Sequence, residues 1–297
     1  MRALLGPTAS GKSTLALRIV EARSQMGRAT EIVAVDAFTV YRGMDVGTAK
    51  PDAVTRERIP HHLVDVLEPD QELTVVRFRD LARAAIAAVH QRGAMALLVG
   101  GSGLYWRAVV DDLAFPPTDP DVRRAVEERH AGDAVAAHAE LAERDPAAAE
   151  DIGPRNLRRL VRALEVIDLT GRRFSDWDDA WRRYESVYPD LEVALLDPPN
   201  DVLRAAIDAR ARAMVEAGLL DEVRTLRERP RSRTAAAAIG YAEAEAVLEG
   251  RAAPEELARA VADRTWRYAR RQRSWFRADP RCVVTSPDDV LSGWARA

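Results

Sequence analysis

The sequence predicts an α/β fold in which a parallel-sheet core carries a helical insertion domain. Three observations predict it. Short apolar runs alternate with amphipathic helical patterns over the first hundred residues. A glycine-rich loop joins the first run to the first helix. A stretch without strand patterning, residues 118–187, then interrupts the alternation before an apolar run returns. With 297 residues, 47% of them hydrophobic, the chain can bury a sizeable core as one large domain or two linked ones.

Taken in order, Arg2-Ala-Leu-Leu5 reads as a short buried strand, and residues 12–23 as a helix with Leu15, Leu17, Ile19 and Val20 among its apolar positions. Residues 31–35 are a near-continuous apolar run ending at Asp36, as expected of a parallel strand covered on both faces. An amphipathic helix at 75–90 and a buried strand at 95–99, stopped by Gly100-Gly101, continue the alternation of a parallel sheet. The pattern changes at Phe115-Pro-Pro-Thr-Asp-Pro120. Asp119 is placed to cap a helix at 121–130, and helices at 133–144 and 155–170 follow, the last stopped by Gly171. After Tyr188-Pro-Asp190 a strand returns at 192–196. Helices at 201–229, 235–248 and 254–276 complete the chain. The expected organisation is therefore a core of residues 1–117 plus 188–297 and an insertion of residues 118–187.

Composition excludes several classes. There is no apolar run of 18 residues for a membrane span, and the start breaks at Gly6-Pro7 before a signal-peptide core forms, so a cytoplasmic protein is expected. One cysteine, Cys282, excludes an internal disulfide framework and multi-cysteine metal sites. The net charge of −3 argues against general affinity for nucleic acid. Of 44 basic residues, however, only Lys12 and Lys50 are lysines, in a chain with 42 arginines and 53 alanines. Against that drift, a lysine suggests a need that arginine does not meet, such as a compact ammonium between phosphate oxygens.

Lys12 sits in such a place. Gly6, Pro7, Thr8, Ala9, Ser10, Gly11, Lys12 and Ser13 match G-x-x-x-x-G-K-[ST] between a strand and a helix, the P-loop context. Backbone N–H groups turn inward around an anion there, and the helix N-terminus adds partial positive charge. Lys12 reaches terminal phosphate oxygens, Ser13 can ligate Mg²⁺, and Thr8 can touch the phosphates. The loop specifies a diphosphate or a nucleotide without choosing between them. Asp36, at the carboxyl end of the second strand, falls in the ligand crevice of a parallel sheet. It can be a Mg²⁺ carboxylate, a general base, or a loop cap.

Segment 264–277 mixes six arginines with Trp266, Tyr268, Trp275 and Phe276. It suits phosphate contact and base stacking, or equally a solvated arginine face packed by its aromatic face. Arg158 and Arg162 lie one turn apart on a helix and can bridge phosphates. His61 and His62 read as bonding loop carbonyls rather than as acid–base residues, Lys50 as touching phosphate or fixing its loop, and Tyr105 and Trp106 as core or pocket wall rather than catalytic.

Further strings follow in order: Tyr41-Arg-Gly-Met-Asp45-Val-Gly47-Thr-Ala-Lys50-Pro51, Pro60-His-His-Leu-Val-Asp65, Val99-Gly-Gly-Ser-Gly-Leu-Tyr105, Arg162-Ala-Leu-Glu-Val166, Gly218-Leu-Leu-Asp-Glu-Val-Arg224, Ile239-Gly-Tyr241 and Ala269-Arg-Arg-Gln272. This ordered set, over nearly the whole chain, resembles the tRNA dimethylallyltransferase (tRNA isopentenyltransferase) family. The resemblance implies a P-loop NTPase-like core and a reaction: the dimethylallyl group of dimethylallyl diphosphate passes to N6 of the tRNA adenine 3′ of the anticodon, releasing pyrophosphate. It implies that the glycine loop holds the donor diphosphate with Mg²⁺ on Ser13. Asp36 matches the general base, Ser102 stands where a threonine is usual near the adenine, and Arg224 matches an arginine on the leaving pyrophosphate. Asp36, Ala37, Phe38, Thr39, Ser102, Arg123, Arg159, Leu160, Val161, Arg162 and Ala163 match tRNA-contacting positions, with Arg270, Arg271 and Gln272 as further contacts. Ala37 replaces the usual serine and Ala242 the usual lysine. The implied partners are the anticodon stem-loop and dimethylallyl diphosphate, with no membrane and a monomeric enzyme. Rival readings are the same transfer to free adenine nucleotides, an ATP-dependent small-molecule kinase, and a non-catalytic RNA-binding protein.

Overall fold

The computed structural model describes residues 1–177 and 179–296. Asp178 and Ala297, within the expected insertion and core, lie outside the described residues. In chain order the elements are β1 (Arg2–Leu5), α1 (Lys12–Gln25), β2 (Thr30–Val35), α2 (Ala53–Arg58), β3 (His61–His62), α3 (Val75–Gln91), β4 (Met95–Gly100) and α4 (Gly103–Val110). There follow α5 (Pro120–His130), α6 (Ala134–Arg144), α7 (Pro146–Ile152), α8 (Leu157–Thr170) and α9 (Asp179–Arg183). The chain continues with β5 (Glu192–Leu195), α10 (Asn200–Glu216), α11 (Leu219–Leu226), α12 (Arg233–Ala236), α13 (Tyr241–Leu248), α14 (Leu257–Ala278) and α15 (Pro287–Arg296).

The sheet has the order β3-β2-β4-β1-β5 and is parallel at every pairing. Its apolar runs split by the two-residue period of a strand. Leu4, Ile32 and Leu97 pack with Leu15 and Ile19 of α1 and Trp294 of α15 on one face. Leu5, Val33, Val35 and Leu98 pack with Phe78 and Ile86 of α3, Ile207 of α10 and Phe276 of α14 on the other. Burial on both faces is why these strands read as continuous apolar runs. Leu5 and Val35 both lie opposite Gly100. The carboxyl ends of β1, β2 and β4 are therefore level, and the connections leaving them frame one crevice.

Several expectations are corrected. The helix expected at 201–229 is two helices, α10 and α11, because Gly218 takes a left-handed φ of 96° that ends one and starts the next. The stretch 235–248 is likewise split between α12 and α13. β3, a two-residue strand on β2, is too short to show a period, and α2, α4 and α15 were not expected. Tyr105 packs edge-on to Phe78 at 4.6 Å. Trp106 is buried and donates from Nε1 to Asp279 Oδ2 at 3.2 Å, so both belong to the core.

The chain separates into two compact units, Met1–Val110 with Ser186–Ala297, and Asp111–Glu185, against the expected 118–187 for the second. That second unit has its own core, including Val126, Leu141, Leu160 and Leu164. Four of its helices begin on a side-chain cap, Asp119, Asp133, Asp145 and Asn156, each accepting from a backbone N–H of the first turn. Among the described residues, no helix is long and apolar enough to cross a membrane.

Candidate active site

A cavity of about 450 Å³ opens at the level strand ends of the larger unit. Five charged side chains line it: Lys12 at the start of α1, Asp36 after β2, Lys50 and Asp52 before α2, and Arg210 on α10. Of the glycine loop, Thr8, Lys12 and Ser13 line the cavity, while the turn itself is closed by Ser10 N donating to Pro7 O at 3.2 Å. Ser10 Oγ is buried with no hydrogen-bond partner among the described residues.

Lys12 Nζ donates to Pro7 O at 2.8 Å. Burial, and then the Arg210 guanidinium, pull its pKa down to about 7, with Asp36 opposing them. Burial also lowers the pKa of Arg210, and Asp36 again opposes. Arg210 has no hydrogen-bond or ion-pair partner among the described residues. Two cations are thus crowded at the loop, an arrangement that favours a polyanion between them. Asp36 uses Oδ1 as an acceptor from Phe38 N (2.8 Å) and Thr39 N (3.3 Å). This Asx turn fixes the carboxylate and leaves Oδ2 without a partner among the described residues. The cap reading and a chemical role are compatible, one oxygen for each.

α14 supplies the other wall. Val261, Thr265, Tyr268 and Gln272 line the cavity along one helical stripe. Gln272 is buried, and its Oε1 accepts from Thr8 N at 2.9 Å. It braces the glycine loop, a correction to its expected place on an RNA surface. Tyr268 is shifted to a higher pKa by burial, and the Arg271 guanidinium lies 5.8 Å from its ring centre. Arg267, Arg270, Arg271 and Arg277 are exposed, whereas Arg264 pairs with Glu243 (2.8 Å) and Arg273 with Asp197 (2.5 Å). The basic stretch thus divides between surface and internal roles.

The remaining expected residues fall differently. Phe38 and Thr39 line the cavity, and Ala37 is buried in the core. Ser102 begins the α4 turn, its carbonyl accepting from Trp106 N at 2.9 Å, and is not among the cavity-lining residues, although Gly100 and Gly101 are. Arg224 is exposed, pairs with Asp221, and also lies outside the lining. In the second unit, the side chains of Leu160, Val161 and Ala163 are buried in that unit's core. Arg159 is exposed and pairs with Asp151 at 2.8 Å. Arg123 and Arg162 both bind the fully buried Glu165, at 2.8 and 2.9 Å, and Arg162 also donates to Pro116 O and Pro117 O. Lys50 fixes its loop through Tyr41 O, Asp45 and Asp65. His61 Nδ1 bonds Ile59 O at 2.7 Å, the structural role expected of it.

Arg210 is a cavity-lining cation that sequence reasoning missed. Its signal was present: Ile207, Arg210, Ala211 and Met214 share one helical face, so a single arginine interrupts an apolar stripe. Arg210→Ala is expected to weaken inorganic pyrophosphate binding about 10–100-fold, the loss of a charge-assisted hydrogen-bonding group. Arg224→Ala, removing a surface ion pair, is expected to stay within about twofold. Titration calorimetry measures both, and equal losses would return the role to Arg224.

Comparison with known proteins adds to this geometry. Residues 39–279 match the family model described as IPP transferase. The tRNA dimethylallyltransferase of Kineococcus radiotolerans is 49% identical over 285 residues, covering 94% of this chain and 88% of that protein. That of Bifidobacterium longum is 44% identical over 280 residues, covering 94% and 84%. Among solved structures, the full-length tRNA isopentenylpyrophosphate transferase of Bacillus halodurans superposes with a TM-score of 0.70 at 35% identity, covering 99% of this chain and 94% of that one.

Proposed function

The chain belongs to the IPP transferase family, and from that premise we propose how its own residues carry the reaction. It is a tRNA dimethylallyltransferase, moving a dimethylallyl group to N6 of the tRNA adenine immediately 3′ of the anticodon. The donor in our reading is dimethylallyl diphosphate, whose diphosphate leaves as pyrophosphate. The observation that carries the residue assignment is the meeting of Lys12, Arg210 and Asp36 in one cavity at the strand ends.

Allylic C–O cleavage builds negative charge on the departing pyrophosphate. Lys12, Arg210 and the N–H groups of the glycine loop are placed to hold that charge where it develops. The exocyclic adenine amine is a weak nucleophile, and the free Oδ2 of Asp36 accepts its proton as the new C–N bond forms. Phe38 and Thr39, beside Asp36 in the cavity, are placed against the acceptor base, which must leave its stack to enter. Ser13 lines the cavity at the helix N-terminus and offers one hydroxyl oxygen there. That donor set fits Mg²⁺, which keeps most of its ligands as water and substrate phosphate oxygens. Ser13 would hold the ion, which when bound would neutralise diphosphate charge. The exposed arginines of α14 serve phosphate contact with the anticodon stem-loop.

Incubation of the purified protein with unmodified tRNA, Mg²⁺ and dimethylallyl diphosphate, followed by nucleoside mass spectrometry, tests the reading. A dimethylallyl mass gain on adenosine is expected. A gain on AMP but not on tRNA would make the acceptor a free nucleotide. Phosphate transfer from ATP with no prenyl product would overturn the reading.

A further inference from the structure

Three strings distant in sequence, residues 43–50, 218–224 and 239–241, meet at one carboxylate. Glu222 Oε2 accepts from Asp45 N and Val46 N, both at 2.7 Å. Its Oε1 accepts from Gly47 N at 3.0 Å and from the Tyr241 hydroxyl at 2.7 Å. Three consecutive backbone amides and a phenol thus converge on one side chain. The Tyr241 ring is fully buried and lies where a Cβ on residue 47 would fall, 2.5 Å from its Cε2. Only glycine lets the loop come this close. The other end of the loop is fixed by Lys50, whose side chain is 2% exposed and whose ammonium binds Tyr41 O (2.5 Å), Asp45 (2.6 Å) and Asp65 (2.6 Å). Between these anchors, Gly47, Thr48, Ala49, Lys50 and Pro51 line the active-site cavity. Glu222 and Tyr241 do not line it.

We propose that Glu222 is a positioning residue, which with Tyr241 clamps the 45–51 loop as a fixed wall of the active-site cavity. The inference rests on the prenyl-transfer reading of that cavity. Its physical basis is that one carboxylate serves four donors, so its loss frees the whole loop end at once. Donor capture belongs to the glycine loop and is untouched. A misplaced wall therefore lowers turnover and leaves donor affinity alone, and about 1 Å of displacement is enough for a ~100-fold loss.

The experiment compares the wild-type chain with Glu222→Gln, Tyr241→Phe and Gly47→Ala. It measures kcat and the KM for dimethylallyl diphosphate, melting temperature, and amide hydrogen exchange. Glu222→Gln is expected to lower kcat about 10–100-fold with donor KM within about twofold. Faster exchange is expected only at residues 45–51. Tyr241→Phe keeps the ring and is expected to show a smaller effect of the same kind. Gly47→Ala pushes the loop from the ring, and combined with Glu222→Gln it is expected to cost no more than the worse single change, because both act on one loop. Unchanged kcat in Glu222→Gln overturns the proposal. So does a loss that only follows the folded fraction, with faster exchange throughout the chain. If Glu222→Gln does not fold, Tyr241→Phe decides by the same criteria. If the wild-type chain makes no dimethylallyladenosine, the reading of the reaction falls, and the exchange data judge the clamp alone: unchanged protection at 45–51 in Glu222→Gln overturns it.

Discussion

Asp36→Asn is expected to lower kcat about 10²–10⁴-fold, the usual range for removing a general base from a proton transfer. The substitution suits the site because asparagine keeps an oxygen for the turn that Asp36 Oδ1 makes with Phe38 N and Thr39 N. The loop geometry therefore survives, and only the basic second oxygen is lost. Affinity for tRNA, measured by filter binding, is expected to change little, because the loss falls on the transition state rather than on uniform binding. Equal losses in kcat and tRNA affinity would make Asp36 a binding residue. Full activity would remove it from the chemistry.

The second large effect concerns Lys12. Its pKa lies at about 7 because burial and Arg210 disfavour the ammonium. The sign follows directly: the side chain is charged below that pH and loses its proton above it. Affinity for a diphosphate is therefore expected to fall as pH rises through about 7, and diphosphate binding above that pH is expected to take up a proton. With only two lysines in the chain, labelling lysine at Cε gives an NMR spectrum of two side chains, and Lys12→Arg identifies the signal of Lys12. That signal is expected to titrate near 7 in the free protein and to move to higher pH with inorganic pyrophosphate. A free-protein midpoint near the ordinary lysine value of about 10.4 would sink the assignment. Lys12→Ala is expected to raise the donor KM about 10–100-fold, the worth of a charge-assisted hydrogen bond.

Elements that carry their own signal were legible in the sequence. β1, β2 and β4 declared themselves as apolar runs because the sheet is covered on both faces, and the glycine loop declared itself by fixed spacing between a strand and a helix. Asp36 was legible because strand ends face ligand in a parallel sheet. What failed to show depends on partners far along the chain. Arg204, Arg210 and Arg212 all lie on α10, and only the packing of that helix decides that Arg210 alone enters the cavity. Arg224 was transferred by resemblance, whereas in its string it is Glu222, two residues earlier, that holds the backbone of residues 45–47 behind the cavity wall. Leu160, Val161 and Ala163 sit in a string assigned to RNA contact, yet they occupy the apolar stripe of α8, and a helix buries such a stripe before it offers it to a ligand. Gly218 falls inside the stretch 201–229 expected as one helix, and its left-handed φ divides that stretch in two.

The placement of β1 also sets an order of events at the ribosome. Its neighbours in the sheet begin at residues 95 and 192, and Arg2 donates to Trp294 O at 2.8 Å. At a synthesis rate of about 5–20 residues per second, the first strand waits roughly 10–40 s for its last sheet partner. The Asp111–Glu185 unit has a complete core of its own before β5 exists. On chains stalled short of residue 192, that unit is expected to resist protease while residues 1–110 are still cut. The nascent chain thus carries a finished internal module between two unfinished halves, and the half that holds the glycine loop depends longest on protection from aggregation.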